Sequence, residues 1–384
     1  MKEFSKDILH IGSLNRGAGF QTSCIADFQI GRSYDVVRAA GLETCATPSG
    51  FAGTLGILQT VLCALFLFVL PGIVVAEDDS AHFEPLDLQG DTFVHDPSTI
   101  IKDGDHYYVY STGRGIRGKS SPDLIHWTER PHVFFEPPAW TKTAVPGFHG
   151  FFWAPDIIHV DGKFLLYYAV STWGKQVSAI GVATSPTLDP LASNYRWTDL
   201  GMVISSTNGS DFNTIDPSVM LDDDGKLWLA YGSYWHGIYI TQLDARTGLR
   251  VPDKTVYPVA WNYSIEASCL TRHENDYYLF VNWGSCCQGT NSTYEVRVGR
   301  AAHVTGPYLD RDGKDLVDGG GTKFLMSTGR FIGPGHIGIL KEGEAIWFSY
   351  HYYDAATEGR SRLAVGKLGW TRDGWPKPVT MLKR

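Results

Sequence analysis

The chain has 384 residues, a formal net charge of −8 and no cluster of Lys or Arg. Phosphate contacts need concentrated positive charge, so nucleic acid is not an expected partner, and acidic polysaccharide is disfavoured on the same ground. The composition is also uneven: all twelve Trp lie at or beyond Trp127, and Tyr34 is the only Tyr before Tyr107.

Residues 1–55 read as a leader, disordered or absent from the mature protein. No charged residue lies between Glu43 and Glu77, and residues 56–76 (GILQTVLCALFLFVLPGIVVA) are almost wholly apolar. At about 1.5 Å per residue such a run spans a bilayer as a helix. Three readings are open. The run is a signal peptide cut after the small residues Val74 and Ala76, an uncleaved anchor that leaves the following domain outside the cell, or a core helix apolar on every side. The first makes the protein secreted, and the second restricts any membrane contact to this N-terminal anchor. Residues 77–384 remain as one large all-β domain.

That domain repeats a pattern. Each unit opens on a short polar element, runs into an alternating strand, turns, and returns on an aromatic strand. The units are HDPSTIIKDGDHYYVYST (95–112), WAPDIIHVDGKFLLYYAVST (153–172), IDPSVMLDDDGKLWLAYGS (215–233), IEASCLTRHENDYYLFVNWG (265–284) and GPGHIGILKEGEAIWFSYHYYD (333–354). Asp-Gly, Glu-Asn or Glu-Gly marks each turn. Five such units, about 50 to 70 residues apart, predict a five-bladed β-propeller. A β-sandwich is the alternative. It accounts for the strands but not for an ionisable residue near the start of each unit: Asp96, Asp156, Asp216, Glu266 and His336. If the units are equivalent blades, these five residues begin the innermost strands at similar depth.

Glycoside hydrolysis needs two carboxyls flanking the scissile bond, one ionised and one protonated. Asp96 is the candidate base. Pro97 follows it and is expected to restrict it to extended geometry. Glu266 is the candidate acid, with one more methylene to reach the leaving oxygen. Asp216 supplies the negative charge that raises the acid's pKa. Taken singly, Asp-Pro pairs initiate turns, Glu266 reads as a solvated loop residue, Asp156 as a structural hydrogen-bonder and His336 as a turn histidine. Only the repeated position outweighs those readings.

Cysteine usage is sparse. Cys269, Cys286 and Cys287 match no zinc spacing, and either Cys286–Cys287 or Cys269 with one of them is open as a pair. Asn208, Asn262 and Asn291 head acceptor sequons, in line with export.

HDPS (95–98), FWAPDI (152–157), IDPS (215–218), GSYWHGI (232–238), IEA (265–267), the Cys286-Cys287 pair, GPY (306–308), GPGH (333–336) and DGWP (373–376) occur in this order. In them the sequence resembles glycoside hydrolase family 43, and within it the endo-α-1,5-L-arabinanases, from about Asp91 to Pro378. The resemblance implies a five-bladed propeller and an inverting mechanism, with Asp96 as general base, Glu266 as general acid and Asp216 as pKa modulator and orienter. It implies carboxyls of Asp96 and Glu266 about 6.5–9.5 Å apart. It also implies substrate contacts at Asp96, Gly174, Asn213, Thr214, Ile215, Asp216, Ser233, Tyr234 and Trp235, and a water-coordinated calcium ion near His336, structural rather than needed for chemistry. One departure is Ser268, where the family usually has Pro.

Trp153, Trp173 and Trp235 lie in or beside these segments, where flat rings pair with the C–H faces of sugars or simply pack a blade. The expected activity is endo-hydrolysis of arabinan by a monomer. The rivals are an exo-acting arabinofuranosidase or β-xylosidase, and a non-catalytic carbohydrate-binding propeller.

Overall fold

The strand Lys163–Val170 (KFLLYYAV) shows how the chain arranges itself. Pleating sends alternate side chains to opposite faces. Phe164, Leu166, Tyr168 and Val170 enter one buried cluster with Tyr108, Tyr110 and Ile157. Leu165 and Tyr167 enter another with Val219, Leu229 and Tyr231. A strand apolar on both faces needs a neighbouring sheet on each side, and a ring of sheets supplies this without end.

The computed structural model describes residues 83–252 and 254–381. The leader (1–55) and the apolar run (56–76) lie outside the described residues. Among the described residues no helix is long and apolar enough to cross a membrane.

Five sheets follow in chain order, their main strands antiparallel and each listed from the innermost strand outward. The first comprises Ile101–Asp103, His106–Ser111, Arg117–Ser121 and His126–Arg130. The second is Phe151–Val160, Lys163–Val170, Ser178–Ser185 and Thr198–Ser206. The third is Ser218–Leu221, Leu227–Tyr231, Ile238–Leu243 and Tyr257–Ala260. The fourth is Glu266–His273, Asp276–Trp283, Glu295–Ala301 and Thr322–Leu325. The fifth is Phe331–Glu342, Ala345–Asp354, Arg360–Trp370 and Pro376–Val379. The turns fall where the sequence puts them. Asp161 and Gly162, at φ 50° and 71°, form the two left-handed residues that a two-residue hairpin turn requires.

Five separate hydrophobic clusters fill the spaces between consecutive sheets, one for each pair of neighbours including the fifth with the first. The fold is therefore a five-bladed β-propeller. A sandwich, with one core between two sheets, is ruled out by the same count.

The ring closes through the N-terminal segment of the described residues. Gln89–Gly90 adds in parallel to His126–Arg130 on the first blade. The same segment bonds to the fifth blade through Leu86 N–H to Val365 O at 2.8 Å and Leu363 N–H to Thr92 O at 2.7 Å. Near the axis, a Cβ on Gly338 would stand 2.6 Å from the Thr99 Cα, so only glycine lets the fifth and first inner strands approach this closely.

Each inner strand, or the segment leading into it, carries one left-handed residue that is not glycine: Asp96 (φ 49°), Ala154 (φ 39°), Asp216 (φ 55°), Ala267 (φ 52°) and His336 (φ 60°). This marks the true repeat and corrects two expectations. Asp96 is left-handed, not extended. Asp tolerates this conformation better than most residues, and the tertiary contacts described below hold it there against the bias from Pro97. Asp156 and Glu266 are also out of step with the others, two residues after and one residue before the equivalent position.

Candidate active site

Asp96, Asp216, Glu266 and His336, carried on the first, third, fourth and fifth inner strands or the segments leading into them, come within electrostatic reach of one another. Asp96 is reached from two blades, the first and the fifth. Its Oδ2 accepts from Thr112 Oγ1 at 2.6 Å and lies 2.9 Å from His95 Nδ1. Its Oδ1 lies 3.6 Å from both His336 Nδ1 and His351 Nδ1, and its backbone N–H donates to His351 Nδ1 at 3.1 Å. Oδ2 is thus occupied by donors, and Oδ1 is the oxygen left to accept a proton. Burial favours a neutral carboxyl, but the imidazole of His95, aided by His336 and His351, outweighs it. The Asp96 carboxyl is held well below the usual range. Burial also opposes a charged His95, yet the adjoining Asp96 carboxylate lifts its pKa above the ordinary value. Burial shifts the pKa values of His336 and His351 the other way, below the ordinary imidazole value.

Glu266 stands in the opposite state. Its Oε2 accepts from Ser233 Oγ at 2.8 Å, and its Oε1 accepts from the Tyr294 hydroxyl. Tyr294 reaches it beside Gly335, where any Cβ would collide with the tyrosine ring at 2.4 Å. Burial raises the Glu266 pKa despite these two donors, with the Asp96 charge adding to the rise. Asp216 accepts from the Ala267 N–H at 3.1 Å, one residue beyond Glu266. Burial and the charges of Glu266 and Asp96 push it well above the usual carboxylate range. Asp216 and Glu266 therefore titrate as a pair that keeps a proton where isolated carboxyls lose it.

Asp156 is not part of this group. Its two oxygens accept from Thr99 N–H at 3.0 Å and Val219 N–H at 2.8 Å, tying the second blade to the first and third. Burial raises its pKa to about 6.

The remaining expected contacts divide by exposure. Trp173 and Trp235 are exposed, and half-buried Trp153 meets Trp173 edge-on with ring centroids 6.2 Å apart. Gly174 lies on the exposed loop beside Trp173. Asn213 is buried and accepts from Ser178 Oγ at 2.8 Å. Tyr234, at φ 49°, donates its N–H to Ile265 O at 2.7 Å and so joins the third blade to the segment carrying Glu266. Thr214 and Ile215 are buried beside Asp216. Ser268 is buried with its hydroxyl unpartnered. Cys286 and Cys287 are disulfide-bonded and Cys269 is a buried free thiol.

Sequence reasoning missed Thr112, Tyr294 and His351 as partners of the carboxyls. Thr112 and His351 lie inside the quoted repeat units, at the outgoing end of the second strand, so the repeat itself was the available signal. Nothing local marks Tyr294.

Buried carboxyls of opposite proton affinity, brought together from separate blades of a propeller, are the equipment of a glycoside hydrolase. The model for the family described as "Glycosyl hydrolases family 43" matches residues 90–376, and the chain belongs to that family. It is 40% identical over 291 residues to an extracellular endo-α-(1→5)-L-arabinanase of Bacillus subtilis, covering 74% of this chain and 87% of that one. It is 38% identical over 298 residues to an extracellular exo-α-(1→5)-L-arabinofuranosidase of Cellvibrio japonicus, covering 74% and 86%. Among solved structures, the family 43 endo-arabinanase of Bacillus licheniformis superposes with a TM-score of 0.71 at 40% identity, covering 76% of this chain and 99% of that one.

Proposed function

We propose that the protein hydrolyses α-1,5-linked L-arabinan internally and with inversion, outside the cell. The observation that carries this reading is the contrast between Asp96, held ionised, and Glu266, held toward protonation. Asp96 Oδ1 takes a proton from water as the water oxygen bonds to the anomeric carbon. The glycosidic C–O bond breaks, its electron pair passes to the leaving oxygen, and that oxygen takes the proton of Glu266. Asp216, hydrogen-bonded beside Glu266, orients the acid and keeps its proton affinity high. Trp153, Trp173 and Trp235 offer apolar faces to the furanose rings.

Acid/base cleavage by two carboxyls requires no cofactor. A calcium ion at the channel centre belongs to the same reading. Calcium takes six to eight oxygens, whereas the nearby donors are one carboxylate and the imidazoles of His336 and His351. These residues would fit an ion that keeps its own waters and is held through them by His336. Such an ion would supply positive field beside Asp96.

Action outside the cell is supported by the two extracellular relatives. It is also supported by the sequons, where Asn208 and Asn291 are exposed and Asn262 is half-buried. An exo-acting enzyme is the second reading, because one similar relative carries that name.

Linear arabinan digested by the protein, with products separated by size and anomers followed by NMR, tests the proposal. Mixed oligosaccharides of inverted configuration are expected; arabinose alone means exo action, and retained configuration removes the mechanism. Asp96→Asn and Glu266→Gln should each lose most activity, about a thousandfold or more, with folding intact. Near wild-type rates in either variant sink the assignment.

A further inference from the structure

The groups behind Asp96 form a hydrogen-bonded chain that the hydrolysis scheme does not use. Cys287 N–H donates to the Tyr353 oxygen at 2.7 Å, Tyr353 and His95 Nε2 are 2.8 Å apart, and His95 Nδ1 is 2.9 Å from Asp96 Oδ2. The two ends set its polarity. A backbone amide only donates and an ionised carboxylate only accepts. Neutral His95 therefore carries its proton on Nδ1 and points it at Asp96, while Nε2 accepts from the Tyr353 hydroxyl. Protonating His95 reverses only the Tyr353 link. The Nδ1–H to Asp96 bond is present in both states.

The ring has little freedom to leave this position. It stacks on His351 with centroids 4.2 Å apart and an interplanar angle of 26°. His351 in turn accepts from the Asp96 N–H. At the far end, Cys287 is left-handed at φ 66° and closed into a small covalent ring by its bond to Cys286, so its amide direction is fixed. Tyr353 is buried and belongs to the second strand of the fifth blade. The chain thus runs from a rigid turn, through a blade, to one oxygen of the base.

We propose that His95 is a positioning residue for Asp96, held from behind by Tyr353 and the Cys286–Cys287 turn, and that together they reserve Oδ1 for the attacking water. This rests on the assignment of Asp96 as the base. His95 and Tyr353 act through Asp96 and touch neither sugar nor water in the reaction. A loose carboxylate still lets the sugar bind but meets the water less often in the productive geometry. The effect therefore belongs in kcat and not in KM.

The test measures kcat and KM on linear α-1,5-arabinan for the full chain and for His95→Ala, His95→Asn, Tyr353→Phe and Asp96→Asn, with thermal unfolding to establish that each is folded. Loss of an orienting partner typically costs about 10- to 100-fold. That loss is expected in kcat for His95→Ala and Tyr353→Phe, with KM within about twofold. His95→Asn places an amide N–H near the former Nδ1 and should recover part of the loss seen in His95→Ala. If His95→Ala does not fold, the near-isosteric Tyr353→Phe and His95→Asn carry the test.

Wild-type kcat in His95→Ala or Tyr353→Phe, a loss shared with KM, or no recovery in His95→Asn overturns the inference. If Asp96→Asn is inactive in the same assays, the base assignment survives that failure. If Asp96→Asn is active, the base assignment itself has failed and this inference falls with it.

Discussion

Glu266 illustrates how few contacts decide a residue's chemistry. In a solvated loop it would be an ordinary carboxylate. Here it is buried, both oxygens are occupied by Ser233 and Tyr294, and Asp216 stands behind it. The Tyr294 hydroxyl stabilises the ionised form, so it works against the burial that raises the pKa. Tyr294→Phe removes that opposition and moves the Glu266 pKa further up. Activity requires a protonated acid and is lost as pH rises through its pKa, so the alkaline limb of the rate profile should shift to higher pH. The maximal rate should fall about tenfold as the acid loses its aim. A limb that moves down, or stays, contradicts this account. The sequence marked Asp96, Asp216 and Glu266 because each sits in a short motif near the start of a repeat. Tyr294 carried no such mark. It lies 28 residues from Glu266 and meets it only because the third strand of the fourth blade passes there.

At the scale of the inner strands, one device is used five times: a left-handed residue in the first half of the strand or just before it. The sequence reading took the ionisable residue itself as the marker of equivalence and so aligned Asp156 with Asp96. Backbone conformation, invisible in residue type when the position is filled by Ala154 or Ala267, gives the real alignment. Two residues later come Ser98, Asp156 and Ser218, whose side chains serve the backbone: Ser98 Oγ accepts from Tyr110 N–H, and Ser218 Oγ from Leu270 N–H in the next blade. Asp156 does this for two blades at once and titrates anomalously. Its folded pKa of about 6 is above the ordinary carboxylate value, so the folded state binds its proton more tightly. Its contribution is complete below about pH 4 and is lost as pH rises toward 6. The difference in unfolding free energy between wild type and Asp156→Asn should therefore change in wild type's disfavour over that window and be flat above it. Asp156→Ala, which orphans the Thr99 and Val219 amides, should cost about 2–4 kcal/mol in denaturant titrations. A change under 1 kcal/mol would mean the bridge is dispensable.

The whole molecule depends on closing a ring whose blades are covalently joined only in series. The fifth and first blades share a hydrophobic cluster of Val94, Ile100, Val109, Leu124, Trp127, Leu363 and Val365, and the segment around Leu86 to Thr92 bonds across the seam. Phe83 sits at the start of that segment. It is buried against Phe348 of the fifth blade, with ring centroids 5.5 Å apart. Phe83→Ala should lower stability by about 3 kcal/mol. Proteolysis of the variant should begin near the seam, where local opening is cheapest. Cutting spread evenly over all five blades, or an unchanged Tm, would show that the seam is not the weak point. His95 and Asp96 lie on the first blade and His351 and Tyr353 on the fifth, so a loosened seam should also reduce kcat. Closure and the proposed base with its supports share these residues.

Periodicity, turn chemistry and ordered motifs were enough, from the sequence alone, to establish five strand-rich units, their hairpins and the family resemblance, and to mark three acidic residues. These are local properties: pleating has a period of two, turns need residues tolerant of left-handed geometry, and motifs are contiguous. The tertiary structure alone decided which oxygen of Asp96 is free, which donors hold Glu266, that Asp156 braces blades, and that Cys286 pairs with Cys287 behind His95. Those facts arise where distant strands meet around the axis, and an exposure or a hydrogen bond between residues 28 or 255 positions apart has no signature in either residue's neighbours.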